Sequence, residues 1–233
     1  MMAMIEALRK VIKRLRYPIE VMLVCVRWDA AYPLSLRHIE EMMAVRGILV
    51  DHATVHRWSI KILPALAAVF RQRERPVGLS WRTDETYIKV QGQWKYLYRA
   101  VDRDGDTIDF LLRAKRDQAA ARRFLECAID GHGVPEKVTI DKSGAYTAAV
   151  QGVIADSAAS IELRQNKYLN NIVEQDHRAV KRIARPMLGF KYFRCAAAII
   201  AGIETMHMIR KGQLDCLPCA VMSAADQFYS LAA

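Results

Sequence analysis

At 233 residues with 52% hydrophobic content, the chain has enough apolar material for one medium domain and a small one, which excludes disorder over most of its length. Its formal charge of +10, from 35 Lys and Arg against 25 Asp and Glu, points to a polyanionic partner, because each neutralised phosphate releases condensed counterions. The longest apolar run, Ile19 to Tyr32, is interrupted by Glu20, Arg27 and Asp29, and the basic opening segment lacks the apolar stretch of a secretory signal, so a cytoplasmic protein with no membrane partner is expected.

Residues 18 to 63 read as three helices. The first is that apolar run. The second starts after Ser35, a candidate N-cap, and carries Leu36, Ile39, Met42 and Met43 at helical spacing until Gly47 breaks it. A third starts at Asp51, turns Val55, Trp58 and Ile62 inward, and is expected to end at Pro64. Helix, Gly-containing turn, helix is the helix-turn-helix pattern. Its second helix would offer His52, Thr54, His56, Arg57 and Lys61 to base edges or phosphates. The bland alternative is a helical bundle with a solvated polar face, and the pattern alone does not decide between them.

The charged stretch from Arg71 to Gly78 looks like a linker, and from Leu79 the pattern changes to strands. "WRTDETYIKV", "QWKYLYRAVD" and "DTIDFLLRAK", joined by the turns "QG" and "RDGD", predict an antiparallel meander. An amphipathic helix from Asp117, a short strand ending at Asp141, a helix over residues 146–156, the run "SIELRQ" and a helix capped by Asn170 or Asn171 and stopped by Pro186 follow in order. Three antiparallel strands and then alternating helix and strand is the order of a ribonuclease H-like domain. Residues 193–212 read as a last helix packed on that domain, and the tail from 213 is uninformative.

Two metal patterns fail on their spacing. "DRDGD", Asp102 to Asp106, has its Gly too early for a calcium loop and Arg113 where the bidentate Glu belongs, so it reads as a hairpin turn. Glu174-x-x-His177 and Glu204-x-x-His207 resemble di-iron ligand pairs, but that fold needs four long core helices and this region is strand-patterned. Five scattered cysteines suggest no disulfide framework, and Cys216-x-x-Cys219 has no second close pair to complete a zinc shell.

Three acids stand where a two-metal phosphoryl-transfer site needs them: Asp84 mid-strand, Asp141 at a strand end, and Glu174 on a helix. A single Asp or Glu is far more often a solvated surface residue, so the case rests on the three together. Hard carboxylate oxygens suit Mg²⁺, with Mn²⁺ as a substitute, and two such ions about 3.5–4 Å apart can serve an in-line displacement at phosphorus. Lys181 lies two helical turns after Glu174 on the same face, in reach of a DNA phosphate; Arg178 joins that face, and Arg182 and Arg185 extend a basic flank. A merely solvated helix would also pair Glu174 with Arg178.

The runs "YPLSLRHIEEMMAVRGILVDHATVHRW", "WRTDETYIKVQGQWKYLYRAVDRDGDTIDFLLRAKRDQAAARRFL", "VTIDKSGAYTAA", "KYLNNIVEQDHRAVKR" and "GIETMHMIRKGQL" resemble bacterial insertion-sequence transposases of the DDE superfamily, most closely the group numbered six in insertion-sequence nomenclature. The resemblance implies an α/β, ribonuclease H-like (retroviral-integrase-like) core with a mixed five-stranded sheet, preceded by an all-α helix-turn-helix domain. It places the acidic triad on Asp84, Asp141 and Glu174, with Lys181 as the following basic residue. It further implies binding to terminal inverted repeats, metal-dependent 3′-end cleavage and strand transfer into target DNA, replicative cointegrate formation, a homo-oligomer of at least two chains, and action at the nucleoid.

The domain boundaries expected are a basic segment over 1–17, the helix-turn-helix domain over 18–66, a linker over 67–78, the catalytic domain over 79–212 and a tail over 213–233. Asp29 after Trp28, Val45 before Arg46 and Tyr146 after Ala145 depart from the family pattern, the first two within the DNA-binding helices. Two other readings remain: a transposon-derived DNA-binding regulator without activity, and a stand-alone ribonuclease H-like nuclease or resolvase.

Overall fold

The computed structural model describes residues 17–141, 144–157, 160–166, 171–215 and 222–232. The chain divides into two units, one holding residues up to Arg75 together with Val180 onward, the other Pro76–Ala179.

In the Pro76–Ala179 unit, β1 (Ser80–Val90), β2 (Gln93–Val101) and β3 (Thr107–Arg113) form the antiparallel meander that their alternation and turns predict. Gln91 and Gly92 both take positive φ, as a two-residue hairpin loop requires. "DRDGD" is a turn in which the Asp102 carboxylate accepts hydrogen bonds from the Asp104, Asp106 and Gly78 amides at 3.0, 2.9 and 2.8 Å. Then come α4 (Gln118–His132), capped by Asp117, β4 (Lys137–Ile140), α5 (Gly144–Ser157) and β5 (Glu162–Gln165).

The five strands lie in the order β3-β2-β1-β4-β5, with β4 and β5 parallel to β1. This is the mixed five-stranded sheet of a ribonuclease H-like core. On one face Trp81, Tyr98, Ala100, Val138 and Ile140 pack against Phe124, Leu125 and Ala128 of α4 and Tyr146, Ala149 and Val150 of α5. The other face carries Asp84 and Arg99, directly opposed in the β1–β2 register.

The other unit contains α1 (Ile19–Ala31), α2 (Leu36–Ala44) and α3 (His52–Arg71). Ser35 caps α2 reciprocally with His38, and Asp51 caps α3 through the Thr54 amide. Between them Gly47 takes φ +74°, which permits the tight reversal. Ile39, Met43, Val55, Trp58 and Ile62 turn inward as their spacing predicts.

Two expectations are corrected in this unit. Helix α3 does not end at Pro64; it continues to Arg71, so residues 67–71 are helix rather than linker. Proline in a helix interior costs about 3 kcal/mol, but the turns beyond it bury Leu66, Val69 and Phe70, each contributing roughly 1.5–3 kcal/mol. Burial wins, and the missing amide falls at the exposed residue Pro64. The second concerns α7 (Phe193–Arg210), expected on the sheet domain but packed along α3. The fit is close: a Cβ at Gly202 would stand 2.5 Å from Leu63 Cδ1. A short helix, α8 (Ala224–Ser230), lies in the segment that read as an uninformative tail and buries Phe228. Cys216 and Cys219 lie outside the described residues. No helix among the described residues is long and apolar enough to cross a membrane.

Candidate active site and nucleic-acid surface

The parallel pairing of β1 with β4 sets Thr83 beside Ile140, and each is followed by an aspartate. Asp84 and Asp141 therefore stand side by side where β4 ends, Asp141 exposed and the Asp84 side chain 24% exposed. Glu174 comes from α6 (Asn171–Ala184), in its first turn and exposed. One turn further along α6, His177 Nε2 lies 3.4 Å from Asp84 Oδ2. Residues three apart on a helix are surface neighbours, so the turn bearing Glu174 lies at Asp84.

Next to Asp84, Glu85 points to the α4–α5 side of the sheet and forms an ion pair with Arg116. Burial pushes the Glu85 carboxyl above its ordinary value, the Arg116 guanidinium opposes the rise, and the Asp84 and Asp141 charges add to it. Concentrated negative charge of this kind is what a divalent cation offsets, and the donor set of Asp84, Asp141 and Glu174 is all hard oxygen. Among the described residues, the one set of three potential ligands whose atoms all lie within 4.8 Å of one another is Glu40, Asp51 and His52, in the helical unit. The triad is spread more widely than that, which two ions about 3.5–4 Å apart allow.

The sequence reading missed Asp176 and Arg99, and took His177 only as part of a rejected ligand pair. Asp176 and His177 are buried on the same side of α6 as Val173, Val180 and Ile183. A polar pair on an otherwise apolar stripe was the available signal. Asp176 Oδ2 lies 3.0 Å from Arg99 Nη2 and accepts from Thr107 Oγ1 at 3.4 Å, so α6 is tied to both β2 and β3. Further along α6, Arg178 and Arg182 are exposed and Lys181 is half-buried.

In the helical unit, Arg57 and Lys61 are exposed on α3, and Arg57 Nη2 donates to Thr54 Oγ1 at 2.6 Å. Arg57 and Lys61 line, with Arg194 of α7, a groove floored by Ile60, Pro64, Ala197 and Ala201. His56 is half-buried; burial, together with the Lys191 charge, holds its pKa below the ordinary value. His52 is engaged within the fold, its Nδ1 2.9 Å from Glu40 Oε2 and 3.2 Å from Asp51 Oδ1. Of the departures in the helices, Val45 is 82% exposed in the turn, whereas Asp29 is buried in the unit's core. Tyr146 is a core residue whose ring lies 5.7 Å from that of Tyr98.

A five-stranded mixed sheet with carboxylates at adjacent strand positions and on the following helix defines a DDE-type polynucleotidyl transferase core. Residues 78–213 match the family model of the DDE domain of IS240-type transposases. Over 194 residues the chain is 37% identical to the transposase for insertion sequence-like element IS431mec of Staphylococcus aureus, covering 82% of this chain and 85% of the relative. Identity and coverage are the same for the transposase for insertion sequence element IS257 in transposon Tn4003, also from Staphylococcus aureus. Among solved structures, the HTLV-2 integrase catalytic core domain in complex with magnesium aligns at 16% identity and a TM-score of 0.47, over 68% of this chain and 100% of that one. The chain belongs to the DDE transposases of bacterial insertion sequences.

Proposed function

We propose that this transposase binds the terminal inverted repeats of its element through α2, the turn and α3, and that Asp84, Asp141 and Glu174 hold two Mg²⁺ ions, replaceable by Mn²⁺, for 3′-end cleavage and strand transfer into target DNA. The observation that carries the reading is the β1–β4 register, which sets two carboxylates from distant parts of the chain side by side, with the Glu174 turn of α6 at Asp84. When bound, such ions activate the attacking oxygen and stabilise the leaving one. The chain itself supplies the fixed carboxylates, the sheet and helix that space them, and cations for the DNA backbone. Lys181, Arg178 and Arg182 are the candidates for that last role on α6, and Arg57, Lys61, His56 and Thr54 on α3. Pairing two element ends calls for at least two chains, and joining without second-strand cleavage makes the outcome replicative, a cointegrate formed at the nucleoid.

The test is joining of labelled element ends to a plasmid. Joined product in Mg²⁺ and none in EDTA is expected. Repeat binding without joining would make the chain a regulator, and cleavage without joining a nuclease. Recognition is checked separately: Arg57→Ala should weaken binding to the terminal repeat about tenfold or more and binding to random DNA by less, a loss of roughly 1–3 kcal/mol for a base-edge contact. Equal losses on both DNAs would assign Arg57 to phosphate contact.

A further inference from the structure

We infer that Asp176 and Arg99 are positioning residues for the reaction: their buried ion pair fixes the seat of α6 on the sheet and thereby sets Glu174 against Asp84. The inference rests on the three-carboxylate reading and adds to it the means by which the third carboxylate is held. Val173 is buried on the same side of α6, so apolar burial alone could dock the helix. Apolar contact is non-directional, however, and tolerates small rotations and slides. A helix turns 100° for each residue of 1.5 Å rise, so a slip of one residue would swing Glu174 away from Asp84. Charged groups are rarely taken out of water unless paired, and here Arg99 is fully buried and Asp176 nearly so.

The placement of the pair gives it this role. Arg99 is the cross-strand partner of Asp84, on the same face of the sheet. Asp176 meets Arg99 at 3.0 Å and the Thr107 hydroxyl at 3.4 Å, while the adjacent His177 meets Asp84 at 3.4 Å. Two successive residues of α6 thus engage the two members of one cross-strand pair, which fixes both rotation and translation of the helix. At its first turn, Ile172 lies against the β2–β3 turn, where a Cβ on Gly105 would stand 3.4 Å from Ile172 Cγ2. Glu174 sits between these two anchor points.

The experiment removes direction while keeping burial. Replacing both members with apolar residues of similar volume is often neutral for stability, whereas removing one strands a charge. The full-length double variant Arg99→Met with Asp176→Leu is therefore compared with wild type and with Asp176→Asn, which keeps the side-chain shape and an acceptor. Three readouts are taken: melting midpoint, Mn²⁺ binding by the DNA-free protein measured by electron paramagnetic resonance, and the Mn²⁺ concentration giving half-maximal joining of pre-cleaved ends. The double variant should melt near wild type, bind Mn²⁺ about tenfold more weakly and need about tenfold more Mn²⁺ for joining. Asp176→Asn should fall between the two proteins in Mn²⁺ binding and in the Mn²⁺ needed for joining, and should melt below both because the buried Arg99 loses a counter-charge. Wild-type Mn²⁺ binding and joining in the double variant would overturn the inference; should that variant not fold, the same result in Asp176→Asn would do so. Asp84→Asn and Glu174→Gln run alongside as references. Joining retained in those two would instead sink the three-carboxylate reading itself.

Discussion

Alanine at Asp84, Asp141 or Glu174 is expected to lower strand transfer by about a thousandfold or more while leaving binding to the terminal repeat and the melting midpoint near wild type. A thousandfold in rate corresponds to roughly 4 kcal/mol of transition-state stabilisation, within what a divalent ion at a reacting phosphoryl oxygen supplies. The stability side of the prediction follows from exposure. Asp141 and Glu174 are exposed, and truncating such residues changes folding by about 0.5 kcal/mol or less. Asp84 loses its contact with His177 but also relieves repulsion at Glu85. The proposed repeat-binding surface belongs to the helical unit, so the two measurements separate chemistry from recognition. Joining within tenfold of wild type at saturating Mg²⁺ in any one of the three variants would remove that residue from the site.

The strands were legible because each is short, alternating and bounded by turn residues: Gln91-Gly92 and the Asp102–Gly105 reversal fall where the sequence places them. Two thirds of the candidate site was legible for the same reason, since Asp84 is mid-strand and Asp141 directly follows Ile140. Their adjacency depends on β4 running parallel to β1, which fold order implied and local pattern did not. Other features were illegible because they are decided by tertiary packing. Pro64 is a helix stop in local terms, and only the apolar surface beyond it carries the helix on to Arg71. The apolar sides of α7 offered no indication of whether they face the sheet or α3; the pairing of Gly202 with Leu63 settles it. Asp176 was overlooked because its partner, Arg99, is far away in sequence and its charge reads as surface.

Asp29→Asn should make the helical unit more stable at pH 7.5 by up to about 3 kcal/mol, with the gain shrinking as pH falls from about 6 to about 4. Asp29 is one of the two departures from the family pattern that the sequence placed in the DNA-binding helices, yet it is 3% exposed, on the buried side of α1. Burial pushes its carboxyl up to about 6, the Ser59 hydroxyl opposing the shift. The unfolded chain holds the same group near its ordinary value of about 3.9. Folding therefore favours the protonated form. Below pH of about 4 the group is neutral in both states and no penalty arises. Between about 4 and about 6 the unfolded chain is ionised while the folded group must take up a proton, so the penalty grows with pH, and above about 6, where the folded state carries the buried charge, it holds its full value, about two pKa units at roughly 1.4 kcal/mol each. Asparagine keeps the shape without the ionisation. The measurement is the difference in denaturation free energy between wild type and variant from pH 4 to 8, in which all other titrations common to the two proteins cancel. A difference that stays flat with pH would mean that Asp29 is solvated or paired in the native state. A difference that grows towards neutral pH would place the effect of this substitution in the stability of the helical core, not in contacts with the element ends.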